Sequence, residues 1–291
     1  MMPEVVTVGC KVNLYLDITG VRDNGYHELE TLFFPVAEPS DTLELTPGGP
    51  ESAGLTLTCS DKALEGRSNL VAKAYEAFAA LTGFRPALAA RLVKRTPSGA
   101  GLGGGSADAA ALLAWLNARA GDKALSPDEL AALAVRLGAD VPFFLTGAPA
   151  WATGVGDQLT PAACDLSGLT MLVCMPEERV DTAWAYRAWD ESHGITGRQG
   201  SKPALTSLCP ASMRPFCVSG TFMANCFEAV VFKRHPAVRL LKERLLALGA
   251  AAACMSGSGS AVFGLFRDPA RAIAAVSALS GPQTSVFCAL L

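Results

Sequence analysis

Between Pro97 and Ser106 the chain places five glycines in ten residues, with no charged side chain among them. The segments on either side have opposite character. Leu88 to Val93 alternates as a short strand does, while Ala107 to Ala120 is rich in Ala and Leu, residues with strong helix preference. Glycines at a strand-to-helix junction let successive backbone N–H groups converge on one point, and the positive end of the helix dipole adds to them. The segment therefore predicts a phosphate cradle, with a flexible connector as the alternative.

The residues downstream exclude two common phosphate loops. Gly99-x-Gly101-x-x-Gly104 has dinucleotide spacing and Asp122 lies at a suitable distance, but Gly121-Asp122 leads into Ser126-Pro127-Asp128-Glu129. That is a capping box with proline at the first helical position, so a second helix stands where a βαβ unit needs a strand. A nicotinamide-dependent oxidoreductase fails on this point. Ser106-Ala107 also occupies the place of the Gly-Lys-Ser/Thr that a Walker loop requires.

The 291 residues carry 24 Lys+Arg against 27 Asp+Glu, a formal charge of −3, and half the chain is hydrophobic. This excludes general disorder and leaves no field to grip a nucleic-acid backbone. Nine cysteines, never spaced C-x-x-C, read as buried thiols in a reducing compartment, with no metal site and no disulfide framework. The first ten residues carry no basic export leader, and cytoplasmic location is expected. Leu245 to Phe266 runs 22 residues without a charge, but Ser256-Gly257-Ser258-Gly259-Ser260 divides it, which suits a helix end, a buried strand and a turn better than a membrane span.

Alternation from Val8 to Ile18 predicts a strand with Lys11 and Asn13 on one face; Asn24-Gly25 signals a turn, and β structure is expected over 5 to 46. Asn69 to Leu81 reads as a helix with Leu70, Ala74, Ala77, Phe78 and Leu81 on one stripe. Beyond a boundary near 155 to 165, a strand is expected at Leu169 to Met175 and another around Ala261 to Phe266. Helices are expected near 182 to 190, 221 to 233 and 236 to 248, with a long loop over 194 to 220.

The loop Pro97-Ser98-Gly99-Ala100-Gly101-Leu102-Gly103-Gly104-Gly105-Ser106-Ala107-Asp108-Ala109 resembles the phosphate loop of the GHMP kinases. Lys11 to Leu16, Thr19 to His27 and Thr31-Leu32-Phe33 are similar to the N-terminal signature of one branch of that superfamily, as are Leu137 to Phe144 and Gly154-Val155-Gly156-Asp157. A third superfamily motif stands at Met255-Ser256-Gly257-Ser258-Gly259. That branch transfers the γ-phosphoryl of ATP to the 2-hydroxyl of a cytidine-diphosphate-linked methylerythritol, in the non-mevalonate route to isoprenoid precursors. The resemblance implies an α+β, two-domain GHMP kinase fold: a ribosomal-protein-S5-like N-terminal domain over 1–160 and a ferredoxin-like α/β-plait domain over 161–291. It also implies small-molecule substrates only, with no nucleic acid and no membrane, for a monomer or weak homodimer.

On this resemblance Asp140 is the base that takes the hydroxyl proton and Lys11 its cationic partner. From position alone Asp140 is equally a helix N-cap for Val141-Pro142, and Lys11 an edge-strand lysine turned to water. The loop residues Pro97, Ser98, Gly99, Ala100, Gly101, Leu102, Gly103, Gly104, Gly105 and Ser106 are assigned to ATP, with Asn69 and Lys94 near the nucleotide. Asn13, Tyr26, His27, Asp140, Thr182 and Tyr186 are assigned to the second substrate, the Tyr26-His27 pair meeting the cytosine and Tyr186 stacking on its other face. For Tyr186 the plain alternative is helix-face packing. His193 and His235 read as surface or capping residues. Cys10 replaces the usual alanine, and Ala107 stands where many members have a second serine, which leaves no hydroxyl there for a metal. Magnesium is expected with ATP, its protein ligand unnamed. A homoserine or mevalonate kinase, or a nucleotide sensor without transfer, are the competing readings; the Gly25-Tyr26-His27 segment with Tyr186 argues against the first pair, and Lys11 with Asp140 against the last.

Overall fold

Two long strands open the chain, β1 (Glu4–Val21) and β2 (His27–Pro47), joined by a turn in which Gly25 takes φ +85°. The computed structural model describes residues 2–48, 54–195, 217–218 and 221–291. Contacts divide the chain into two compact units, each discontinuous in sequence. The first is Met1–Cys10, Pro39–Ser98 and Gly103–Ala148; the second is Lys11–Glu38, Gly99–Leu102 and Pro149–Leu291.

In the first unit β3 (Leu55–Cys59) runs parallel to β4 (Leu88–Val93), which pairs antiparallel with residues 42–47 of β2. Helix α1 (Leu70–Thr82) starts at an Asn69 cap, whose side chain accepts the Val71 N–H, and stops at left-handed Gly83. Its buried stripe is Val71, Ala74, Tyr75, Phe78 and Ala79; Leu81, expected on it, is exposed because the inward face is rotated by one position. Helix α2 (Gly104–Asn117) begins three residues before the expected start and is buried on nearly every side, with Leu112, Leu113 and Leu116 fully inside. Each such leucine contributes about 1.5–3 kcal/mol of burial. The Ser126 capping box is present at α3 (Pro127–Leu137), and a six-residue α4 (Val141–Thr146) closes the unit.

The second unit holds the antiparallel pair β5 (Ala150–Thr153) and β6 (Gln158–Pro161), β5 also pairing with residues 31–33 of β2. After β7 (Thr170–Pro176) and α5 (Thr182–Ser192) the expected 194–220 loop lies largely outside the described residues. The helix expected over 221–233 is only partly present. Short strands β8 (Cys217–Val218), β9 (Thr221–Phe222) and β10 (Ala224–Asn225) precede α6 (Glu228–Arg234). The reason lies in partners distant in sequence: β10 pairs parallel with β1, the Cys226 N–H donates to the Leu16 carbonyl, and Asn225 turns its amide inward to the Met255 and Gly257 carbonyls. Then come α7 (Pro236–Ala247), β11 (Ala252–Met255), β12 (Val262–Phe266), α8 (Pro269–Leu279) and β13 (Thr284–Leu290).

Strands β11-β12-β7-β13 form an antiparallel four-stranded sheet, and Leu172, Cys174, Met255, Val262 and Phe266 join residues of α5 to α8 in one core. Residues 245–266 are thus a helix end, two strands and a turn, and no helix among the described residues is long and apolar enough to cross a membrane. The thiols are not all buried as expected. Cys10, Cys59, Cys174 and Cys254 are, but Cys288 is exposed, on an edge strand paired only with β7 in this sheet.

Candidate active site

Glycine chemistry explains the loop's shape. Gly99, Gly101 and Gly103 all take positive φ, at +76°, +79° and +70°, a region that strains any other residue. Between them Ala100 and Leu102 are buried, and their carbonyls accept the N–H groups of Ala261 and Lys11. Gly101 is fixed twice over, since a Cβ there would lie 2.0 Å from the Ser256 carbonyl oxygen. Gly103 caps α2 without a side chain, and the first turn of α2 carries no acid. Free of a side-chain cap, the N–H groups of Gly104, Gly105 and Ser106 and the helix dipole are available to an anion. Pro97, Ser98 and Gly99 are exposed, so the loop is open to a ligand at its start.

Lys11 is 3% exposed, in a strand flanked by β2 and β10, so the water-facing alternative does not hold. Its Nζ donates to Asn13 Oδ1 at 2.6 Å and to the Gly101 carbonyl at 3.1 Å, and lies 5.0 Å from the Phe33 ring centre. Asn13 shares the face, as alternation requires, and its amide donates to Thr31 Oγ1 at 2.7 Å. Ser256 Oγ donates to the same Gly101 carbonyl at 2.7 Å and accepts the Asn13 N–H at 3.2 Å. These contacts orient the Lys11 side chain along the inner face of β1, next to the glycine loop.

Asp140 occupies the cap position of α4, half-buried, yet its side chain makes no capping hydrogen bond. The capping alternative therefore does not describe this carboxylate. Asn69 caps α1 and donates through Nδ2 to the Leu64 carbonyl at 2.8 Å.

Lys94 is drawn inward. Its Nζ pairs with Asp41 and, at 2.7 Å, with Asp108. Burial lowers the Lys94 pKa, but the two carboxylates outweigh it and the net shift is upward. The Asp108 carboxyl is pushed up to about 7, chiefly by burial, with Lys94 opposing.

His27, Tyr186 and Thr182 lie in the second unit. The His27 ring packs on Tyr186 with centroids 4.6 Å apart and stands edge-on to Trp189 at 5.9 Å. Its Nε2 donates to Asp190 Oδ1 at 2.9 Å. Tyr186 meets Phe227 edge-on at 4.8 Å, so it packs on the helix face and against the candidate base-binding histidine at once. Tyr26, at the turn, is 62% exposed, with its ring open to a partner. Thr182 Oγ1 lies 2.8 Å from Ser258 Oγ. His193 and His235 both stand at helix ends; His235 is drawn inward by Glu178, 2.7 Å away.

Sequence reasoning missed Asp41, Asp108, Asp190 and Asn225. Asp108 had a readable signal, as the sole charge between Ser106 and Arg119 in an Ala/Leu helix. Among the described residues no three His, Cys, Asp or Glu side chains form a metal-ligand group.

Family models match both parts of the chain: the GHMP kinases N terminal domain over residues 69–148 and the GHMP kinases C terminal over 213–282. With the glycine loop and the two compact units, these define a small-molecule kinase, and the chain belongs to the GHMP kinases. Within them it belongs to the 4-diphosphocytidyl-2-C-methyl-D-erythritol kinase family. The relative of that name from Solidesulfovibrio magneticus is 51% identical over 288 residues, spanning 99% of this chain and 96% of its own length. One from Nitratidesulfovibrio vulgaris is 46% identical over 292 residues and all of both chains. The crystal structure of a 4-(cytidine 5'-diphospho)-2C-methyl-D-erythritol kinase superposes with a TM-score of 0.79 at 34% identity, covering 98% of each chain. A homoserine kinase from Cytophaga hutchinsonii shares the fold at 18% identity and TM-score 0.65, over 98% of this chain and 94% of its own.

Proposed function

We propose that this chain transfers the γ-phosphoryl of ATP to the 2-hydroxyl of 4-diphosphocytidyl-2-C-methyl-D-erythritol, giving the 2-phosphate and ADP in the non-mevalonate route. The observation that carries the substrate is the group at the turn: an exposed Tyr26 beside a His27 that packs on Tyr186 and is anchored by Asp190. A flat base fits such aromatic surroundings, and the simpler alcohols of homoserine or mevalonate kinases have no use for them.

In this reading the hydroxyl oxygen bonds to the γ-phosphorus as the bond to the ADP oxygen breaks, and the hydroxyl proton passes to Asp140. Its carboxylate stands half-buried at the start of α4, the position the resemblance gives to the base. Lys11, oriented by Asn13 and the Gly101 carbonyl, stabilises charge on the transferring group. The N–H groups of loop 97–106 hold the phosphates, with Asn69 and Lys94 at the nucleotide, and Asn13, Tyr26, His27, Thr182 and Tyr186 hold the second substrate. Magnesium arrives with ATP as part of the co-substrate.

The reading extends to a division near residue 160, supported by family matches that end at 148 and resume at 213. It includes cytoplasmic action on small molecules by a monomer or weak homodimer. A coupled ADP-release assay with ATP and magnesium tests it, comparing the cytidylated substrate with homoserine, mevalonate and galactose. Turnover confined to the cytidylated substrate is expected. Turnover with another alcohol overturns the substrate, and tight ATP binding without turnover favours a sensor.

A further inference from the structure

Both ends of the glycine loop are rooted in one buried cluster of charges. Lys94, Asp41 and Asp108 have side chains 7%, 0% and 2% exposed, on the end of β4, on β2 and on the second turn of α2. Asp41 Oδ1 accepts the N–H groups of Arg95 at 2.6 Å and Thr96 at 2.8 Å, the two residues that lead into the loop. Its Oδ2 takes Lys94, and Lys94 reaches across to Asp108 on the helix that leaves the loop. The fit at the junction is close, since a Cβ on Gly104 would lie 2.7 Å from Thr96 Cγ2 and 3.3 Å from Asp41 Oδ2. Entrance and exit are therefore tied through a single ammonium.

The cluster is not built for stability alone. One lysine faces two carboxylates, and Asp108 Oδ1 is buried with no hydrogen-bond partner. An apolar side chain at 108 would leave the Lys94–Asp41 pair balanced in charge, so no uncompensated buried charge follows from the change. What the apolar side chain would remove is the link between strand end and helix start.

We propose that Asp108 is a positioning residue for ATP: acting through Lys94 and Asp41, it sets the spacing between the two ends of loop 97–106 and so aims the loop's N–H groups. The inference rests on the reading of 97–106 as the ATP phosphate loop. Because burial pushes the Asp108 carboxyl up to about 7, the link does not depend on its full charge. The carbonyl oxygen of a neutral acid, or of an amide, accepts from Lys94 in the same place.

The test is steady-state kinetics on Asp108→Leu, Asp108→Asn and Gly103→Ala. Asp108→Leu is expected to raise KM for ATP about tenfold, the equivalent of one lost charge-assisted hydrogen bond, with kcat and KM for the cytidylated substrate within about twofold of the parent. Asp108→Asn is expected to stay within about threefold in all three constants, and Gly103→Ala to raise KM for ATP. An unmoved KM for ATP in Asp108→Leu, a parallel loss in every constant, or an Asn variant as impaired as the Leu variant overturns the proposal while Gly103→Ala still moves that KM. If Gly103→Ala leaves it unmoved too, the phosphate-loop reading falls and the inference with it.

Discussion

Asp190 Oδ1 stands 2.9 Å from Nε2 of His27, joining α5 to the first residue of β2 across 163 positions of sequence. The acceptor fixes which ring nitrogen carries hydrogen, so Nδ1 is left to read whatever approaches. Asp190→Ala frees that ring. The expected outcome is a rise of about 2–10-fold in KM for the cytidylated substrate, the scale of one net hydrogen bond, with KM for ATP unmoved in steady-state kinetics.

Removing the aromatic face beside that histidine tests the same region by stacking rather than polarity. Tyr186→Ala is expected to weaken the cytidylated substrate by about 5–100-fold, since base–aromatic stacking is worth about 1–3 kcal/mol. ATP binding should change far less. Isothermal titration of each ligand compares the two directly, and equal losses count against the assignment.

Asp140→Asn keeps shape and removes the base. A loss of about 10²–10⁴ in kcat is expected, with ATP affinity within about twofold. Single-turnover kinetics beside an equilibrium binding measurement separates the two effects, and parent-like turnover would sink the role given to this carboxylate.

Lys11→Met removes a buried ammonium that donates to Asn13 Oδ1 and the Gly101 carbonyl, leaving both to the single hydrogen of Ser256 Oγ. One hydroxyl hydrogen cannot serve both, and a buried acceptor left unpaired costs about 1–3 kcal/mol. Turnover should therefore fall together with the midpoint of thermal unfolding, and a variant with parent-like kcat would remove Lys11 from the chemistry.

Gly99→Ala and Gly101→Ala separate backbone strain from collision. Both residues have positive φ, but a Cβ at 99 meets nothing within 4 Å, whereas at 101 it meets the Ser256 carbonyl oxygen at 2.0 Å. Denaturant unfolding should show a loss of about 1–2 kcal/mol for Gly99→Ala and a clearly larger one for Gly101→Ala.

Local chemistry made much of this protein legible before any fold was known. The alternation from Val8 to Ile18 put Lys11 and Asn13 on one face, and they are hydrogen-bonded there. The Ser126 box and the glycine loop marked two helix starts, because their signals lie within a few residues of one another. What escaped depends on partners far apart in sequence. Asp41, Lys94 and Asp108 come from three elements, and nothing near Asp190 points to His27. Residues 221–227 read as helix because their apolar spacing fits one, until pairing with β1 and the inward Asn225 amide claim the backbone. Competition between a local period and a distant strand is not visible in the local period.

The strict alternation of left-handed Gly99, Gly101 and Gly103 with buried Ala100 and Leu102 governs how this loop can change over evolutionary time. Inserting or deleting one residue would exchange the two sets, placing side chains where only glycine fits and exposing the residues bonded to Ala261 and Lys11. A change of length is thereby disfavoured, whereas the exposed Pro97 and Ser98 can be substituted without disturbing the alternation.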